Sequence, residues 1–340
     1  MIDSARAPGR LPAAGVTSLA DRRRPEPWEA RLPPPPARSR RPLQEADGTV
    51  TRDTGGVPEG DTVWLAAKRM NTALAGQTLR RGELRVPQLA ATDLTGRTVA
   101  EVVPRGKHML TRLADGWTLR THYRMDGSWH IYAKGARWRG GPAFSIRAIL
   151  ATDRWDCVGY RLHDVALVRT EHEDTVVGHL GPDVLGPDWD LDEAVRRLRA
   201  HPDEQIGVAV LDQRNLCGPG NLYKVEGLFV CRVHPWMRVA DVPDLPGLVE
   251  RTRALMLANR DRPEQSTTGD LRRGRDHWVY GRKDKPCYRC GTPILRGDQG
   301  PDLQERITYW CPTCQATDAP VDPMARTGEP DHPRPLTSAH

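Results

Sequence analysis

Cys287-Tyr288-Arg289-Cys290 and Cys311-Pro312-Thr313-Cys314, with twenty residues between the two pairs, decide how this chain is read. Thiolates two residues apart can grip one metal ion from a tight turn, and two such turns complete a tetrahedral four-sulfur site. The spacing predicts a zinc hairpin over 276–315, with Cys287, Cys290, Cys311 and Cys314 holding one structural Zn2+. Four thiolates leave no coordination position for substrate or water, so any chemistry must lie elsewhere. Between the pairs, Arg306 would project from a rigid hairpin, a good place for a phosphate or minor-groove contact.

Upstream of the hairpin, the chain reads as helical back to about residue 186. Apolar spacing predicts helices over 191–200, 206–212, 222–231 and 245–259. Two of these flank Asn215-Leu216-Cys217-Gly218-Pro219-Gly220-Asn221, a glycine turn that lets backbone approach a ligand closely. Asn221 would open the next helix with unpaired N–H groups facing outward, an anion site suited to a DNA phosphate, and Lys224 lies one turn on.

Between about 78 and 169 the pattern changes to short alternating stretches: 84–86, 98–103, 109–113, 118–122, 145–151 and 164–168. Asp115-Gly116 and Asp126-Gly127 punctuate them, as expected of an antiparallel sandwich or barrel of six to eight strands. Lys107, in Arg105-Gly106-Lys107-His108, starts one strand and could neutralise a phosphate. Arg124 and Met125 stand at the tip of another, where a long apolar side chain beside an arginine could enter a base stack. A helix with Val63, Ala67, Met70 and Leu74 on one face leads into these strands. Asp61 or Thr62 would cap it and Gly76 would stop it.

Residues 1–56 differ in kind. They hold ten Arg, nine Pro and no Lys, with no periodic apolar pattern, a composition that cannot bury a core. The whole chain of 340 residues carries 50 Lys+Arg against 44 Asp+Glu, a net +6. The leader supplies 10 of those cations and 7 of the acids, so the remainder is at 40 − 37 = +3. A nucleic-acid partner therefore has to be argued from local features. The seven cysteines do not form a disulfide framework, since Cys157, Cys217 and Cys231 are scattered. No apolar run reaches the roughly 18 residues of a membrane span, and no apolar stretch of the secretory-signal kind opens the chain. A reducing cytoplasm is the expected compartment.

Five features occur in a fixed order: Pro58-Glu59-Gly60 opening a helix, Gly106-Lys107-His108 on a strand, a Met125-Asp126-Gly127 strand tip, Gly218-Pro219-Gly220-Asn221 between helices, and the four-cysteine finger. In this combination the chain closely resembles the formamidopyrimidine-DNA glycosylase/endonuclease VIII family over about 58–315. Shorter stretches agree, among them Gly181-Pro182-Asp183-Val184-Leu185 and Val279-Tyr280-Gly281-Arg282. The resemblance implies an α+β fold: an N-terminal antiparallel β-sandwich with a leading helix over 58–185, a helix–two-turn–helix DNA-binding domain over 186–275, the zinc finger over 276–315 and a flexible tail over 316–340.

It also implies a bifunctional enzyme of base excision repair, a DNA glycosylase and abasic-site lyase. Such an enzyme acts as a monomer on damaged double-stranded DNA, away from any membrane, in the cytoplasm at the nucleoid. Pro58 would be the Schiff-base nucleophile and Glu59 the general acid/base. Lys107 and Arg306 would contact phosphates and serve β- and δ-elimination, Asn221 would join them at the phosphates, and Arg124 and Met125 would fill the void left by a flipped-out base. The Pro-Glu-Gly start and the short stretch 267–280 point to the endonuclease VIII branch and to oxidised pyrimidines. Thr62, where Glu is frequent, and Asp126, where Tyr or Ser occurs, depart from the pattern and leave room for purine lesions.

An iminium needs a free proline nitrogen, and in the chain as written an amide bond joins Val57 to Pro58. The expectation is a mis-assigned start, with a GTG codon at Val57 as the true initiator and residues 1–57 absent from the working enzyme. If they are retained, the alternative is a catalytically silent relative that binds damaged DNA.

Overall fold

The computed structural model describes residues 58–301 and 305–317. The expected leader over 1–57, and all but the first two residues of the expected tail over 316–340, lie outside the described residues.

Helix α1, Gly60–Leu74, buries Val63, Ala67, Met70 and Leu74 completely on one face. Its N-terminus corrects the expected cap. Glu59 is the capping residue by position, with extended backbone and no side-chain capping bond. Asp61 lies inside the first turn, and its carboxylate accepts instead from the Tyr223 hydroxyl at 2.6 Å. A buried partner reached across the fold has displaced local capping.

Eight strands follow: β1 Arg81–Leu84, β2 Val99–Arg105, β3 His108–Leu113, β4 Trp117–His122, β5 Ser128–Ala133, β6 Ile146–Ala151, β7 Trp155–Tyr160 and β8 Asp164–Arg169. They form two antiparallel four-stranded sheets, in the orders β1-β6-β7-β5 and β2-β3-β4-β8. The core between them takes in the apolar face of α1 together with residues such as Met109, Leu119, Ile131 and Leu150.

Periodicity located neither β5 nor β7, and it placed β1 three residues late. The reason is physical. The outer face of the first sheet is itself buried, with Tyr132, Ile149, Val158 and Tyr160 packed under Trp138. Strands covered on both sides lose the alternation that marks a half-buried strand. On the second sheet Leu110 packs with Val177, Leu180 and Cys217, which ties the sandwich to the glycine turn.

After a short α2, Asp174–Val177, come α3 Leu191–Arg199, α4 Ile206–Ala209, α5 Asn221–Val230 and α6 Leu245–Asn259. The expected helix over 206–212 is only the short α4. Asp190 caps α3 by accepting from Glu193 N–H at 3.0 Å, and Asp244 caps α6 by accepting from Gly247 N–H at 2.9 Å, each satisfying an orphan donor of a first turn. The helices share one apolar core. The glycine turn before α5 is held by Gln213, whose amide donates to the carbonyls of Leu211 and Pro219, both at 2.9 Å, and accepts from Gly218 N–H at 3.0 Å.

The finger is an antiparallel hairpin of β9 Leu295–Gln299 and β10 Arg306–Trp310. It packs on α5 through Val225, Phe229, Ile294 and Cys311. Glu226 on α5, fully buried, accepts backbone N–H bonds from Trp278, Val279 and Tyr280, each at 2.8 Å, and fixes the approach to the finger. Among the described residues no helix is long and apolar enough to cross a membrane.

Candidate active site and metal centre

Glu59 is the centre of the site, only 1 % exposed. Its carboxylate accepts from Gly220 N–H at 2.7 Å and from Leu222 N–H at 2.8 Å. Those donors belong to the mouth of α5, where first-turn N–H groups have no partner within the helix. This corrects the expected outward-facing anion site there: the donors are taken by an internal carboxylate. Gly220 is required for the approach, because a Cβ at that position would stand 2.5 Å from Glu59 Cδ. A second bond, Gly60 N–H to Gly218 O at 3.0 Å, draws the start of α1 onto the same turn.

Burial is the largest influence on Glu59 and moves its pKa up from 4.5 to about 7. The neighbouring Lys107 charge and the two backbone donors oppose it, and the Asp61 carboxylate reinforces it. Lys107 is partly buried. Its ammonium is depressed by desolvation and supported by Glu59, with Arg306 close enough to act against it. Asp61, also buried, accepts from Tyr223 and from the Gln265 amide at 3.0 Å. Burial likewise raises its pKa. A carboxyl group poised near neutrality, with the Lys107 charge acting on it, is what proton transfer requires.

The remaining expected residues divide clearly. Pro58 is partly buried and immediately precedes Glu59. Arg306 is exposed on β10. Asn221 donates to the Ile307 carbonyl at 2.7 Å and so couples the mouth of α5 to the finger. Arg124 and Met125 sit at the β4–β5 turn, Arg124 with a left-handed φ of 53° and Met125 77 % exposed. Lys224 is a correction. It is 1 % exposed and donates to Thr308 Oγ1 at 2.6 Å, so no surface phosphate reaches it. Desolvation is the largest influence on it and lowers its pKa to about 7.

Sequence reasoning missed Asp61 with Tyr223 and Gln265, and the Gln213 and Glu226 anchors. A pair of acidic residues two apart at a helix start, Glu59 and Asp61, was the available signal, and helix capping offered a simpler account of Asp61.

The four sulfurs of Cys287, Cys290, Cys311 and Cys314 all lie within 4.8 Å of one another. Cys287 and Cys314 Sγ are 3.9 Å apart, and Cys290 and Cys311 Sγ are 3.4 Å apart. Tetrahedral thiolates at a metal–sulfur distance of about 2.3 Å stand roughly 3.8 Å from each other, so the cluster can hold a metal ion.

The model of the formamidopyrimidine-DNA glycosylase N-terminal domain matches residues 57–165. A protein named "Probable endonuclease 8 2" from Streptomyces coelicolor is 54% identical over 277 residues, which cover 80% of this chain and 98% of that protein. The "DNA-(apurinic or apyrimidinic site) lyase Nei2" of Mycolicibacterium smegmatis is 42% identical over 260 residues, 76% of this chain and 99% of its own. Among solved structures, the Lactococcus lactis formamidopyrimidine-DNA glycosylase bound to abasic-site DNA aligns with a TM-score of 0.63 at 22% identity, covering 76% of this chain and all of that one. The structural likeness at that identity speaks for the fold, and the near-complete relatives speak for descent. Together they show that the chain belongs to the formamidopyrimidine-DNA glycosylase/endonuclease VIII family.

Proposed function

We propose that this chain excises oxidised bases, pyrimidines first, from double-stranded DNA and then cuts the strand by β- and δ-elimination, with the Pro58 nitrogen as nucleophile. Membership of the family makes it a DNA-repair glycosylase and abasic-site lyase. The observation that carries the finer reading is the Glu59 carboxyl group, buried, raised to about 7 and held at the mouth of α5 directly after Pro58.

In this reading the free secondary amine of Pro58 attacks sugar C1′. The N–C1′ bond forms as the base leaves with its bonding electrons, and the proton shed by the amine nitrogen neutralises the departing base. Glu59 delivers a proton to the ring oxygen, the ring opens, and a cationic iminium remains. The iminium acidifies the C2′ hydrogen. Loss of that proton expels the 3′ phosphate, and a second elimination expels the 5′ phosphate. Lys107 and Arg306 neutralise the phosphates and Asn221 orients the finger against them. Arg124 and Met125 occupy the space of the flipped nucleotide.

An amide nitrogen has no basic lone pair, so this mechanism requires a free amine at Pro58. The family match starting at residue 57 supports this. The pyrimidine preference draws on the relatives named endonuclease 8 and on the short stretch 267–280, which folds back through Thr267 N–H to Asp276 O at 2.8 Å. The four thiolates would hold one Zn2+, which cross-links the finger and supplies no step of the reaction.

The test is borohydride trapping. A chain whose first residue is Pro58, and the full chain, are each mixed with duplexes bearing thymine glycol, 8-oxoguanine or an abasic site. A covalent adduct is expected only with the first protein, fastest on the abasic site and faster on the pyrimidine than on the purine lesion. Absence of any adduct with the chain beginning at Pro58 removes the mechanism. Adduct with the full chain removes the need for a free terminus, and a faster purine reaction removes the substrate assignment.

A further inference from the structure

The segment between β5 and β6 has no place in the chemistry above, yet it is built into the fold. Trp138 stacks on Tyr132 and donates to Asp156 Oδ2 at 3.2 Å. Arg139 N–H donates to the Tyr132 hydroxyl at 3.1 Å. A Cβ on Gly140 would lie 2.3 Å from the Tyr160 ring, so the strap lies flat on the sheet there. It then turns outward and presents Phe144, 82 % exposed. An exposed aromatic ring on a clamped support is unusual for a solvent-facing loop.

Hydrogen bonds connect the residue after Phe144 to the β4–β5 turn that carries Met125. Ser145 O accepts from Arg161 N–H at 2.8 Å, and Arg161 Nε donates to Asp126 O at 3.0 Å, one residue from Met125. Among the described residues Phe144 and Met125 are the two most exposed large apolar side chains. Residues 134–147 contain Lys134, Arg137, Arg139 and Arg147 and no acidic residue, with Lys134 paired to Asp156 at 3.1 Å. An exposed aromatic ring among arginines is suited to stacking on a nucleobase while the cations meet phosphates.

We propose that Phe144 is a second wedge, stacking on a base of the duplex beside the lesion, across Arg161 from Met125. This rests on the DNA-repair reading and adds to it a residue that sets how the enzyme grips the helix around the damage. The backbone that carries the ring is fixed beforehand, by Ser145 Oγ to Pro142 O at 2.7 Å and Arg147 to Phe144 O at 2.7 Å, so little backbone freedom is lost on binding.

The full chain suffices for the test, because binding requires no free Pro58 amine. Binding to a duplex containing a tetrahydrofuran abasic analogue is followed by fluorescence anisotropy. 2-Aminopurine is placed in turn opposite the analogue and at each flanking position. Phe144→Ala is expected to weaken binding about tenfold and to abolish the fluorescence change at one of those positions. Phe144→Trp should retain both, and thermal melting should be unaltered in each variant. Wild-type binding with Phe144→Ala within twofold and an unchanged 2-aminopurine profile overturns the wedge alone. Loss of self-association in Phe144→Ala with DNA binding intact also overturns it and reassigns the ring to a contact between copies. Failure of the wild type to bind the duplex overturns the repair reading and the wedge with it.

Discussion

Glu59 is buried, and its burial lifts the carboxyl pKa to about 7, near physiological pH. As proton donor it is active below about 7, whereas a terminal proline amine is nucleophilic above roughly 7.7–8.0. The two requirements oppose each other, so kcat/KM for base excision should be bell-shaped. The acid limb belongs to the amine and the alkaline limb to Glu59. Glu59→Gln should slow base removal by about 10²–10⁴ and erase the alkaline limb. An unaltered alkaline limb would assign the proton to another group. Stability carries the same signature. The unfolded carboxyl ionises near 4.5 and the folded one near 7, so between those values the unfolded chain binds fewer protons. Glu59's contribution is fully present below pH 4.5, is lost as pH rises to about 7, and is constant beyond.

At the scale of elements, the finger is a hairpin whose strands depend on what lies at their ends. β9 and β10 pair from Arg306–Gln299 to Trp310–Leu295, and an isolated two-stranded hairpin is marginal in water. The thiolate cluster next to Trp310 and the packing on α5 supply the missing support. Mutating Cys290 to Ala, or removing the metal with a chelator, should release about one equivalent of zinc. It should cost at least tenfold in affinity for abasic-analogue duplex and leave the sandwich's melting transition in place. Tight duplex binding by the metal-free protein would detach Arg306 from the interface. This element was also the most legible in sequence, because sulfur ligation has a spacing that nothing else imitates. α1 and α6 were legible for a related reason, since each exposes one face. β5 and β7 were hidden because Trp138 and its neighbours cover the sheet from outside. Asp61 was misread because its partners, Tyr223 and Gln265, lie 162 and 204 residues away. Lys224 was misread because burial is invisible in a helix whose residues Leu222 to Phe229 are all buried.

Over the whole molecule, one of the joints between the sandwich and the helical domain carries the site: Gly60 on Gly218, and Glu59 in the backbone donors of α5. Each body supplies half of the site. Gly220→Ala tests the joint, since its Cβ would need the space of the Glu59 carboxyl. Overpacking there should cost about 1–3 kcal/mol in unfolding free energy. Displacing Glu59 by an ångström or so should cost on the order of 10²-fold in turnover. Wild-type turnover in Gly220→Ala would show that the carboxyl need not sit in the mouth of the helix.

The same joint sets an order of events during synthesis. Pro58 and Glu59 leave the ribosome early, but the donors that seat Glu59 arrive more than 160 residues later, and Arg306 comes later still. On the proposed assignment, a nascent chain therefore carries Pro58 before Glu59 has its seat and before Arg306 exists. In the proposed mechanism the site is complete only when the finger that carries Arg306 has been translated, so a chain truncated before α5 should leave Glu59 unseated and show no covalent trapping.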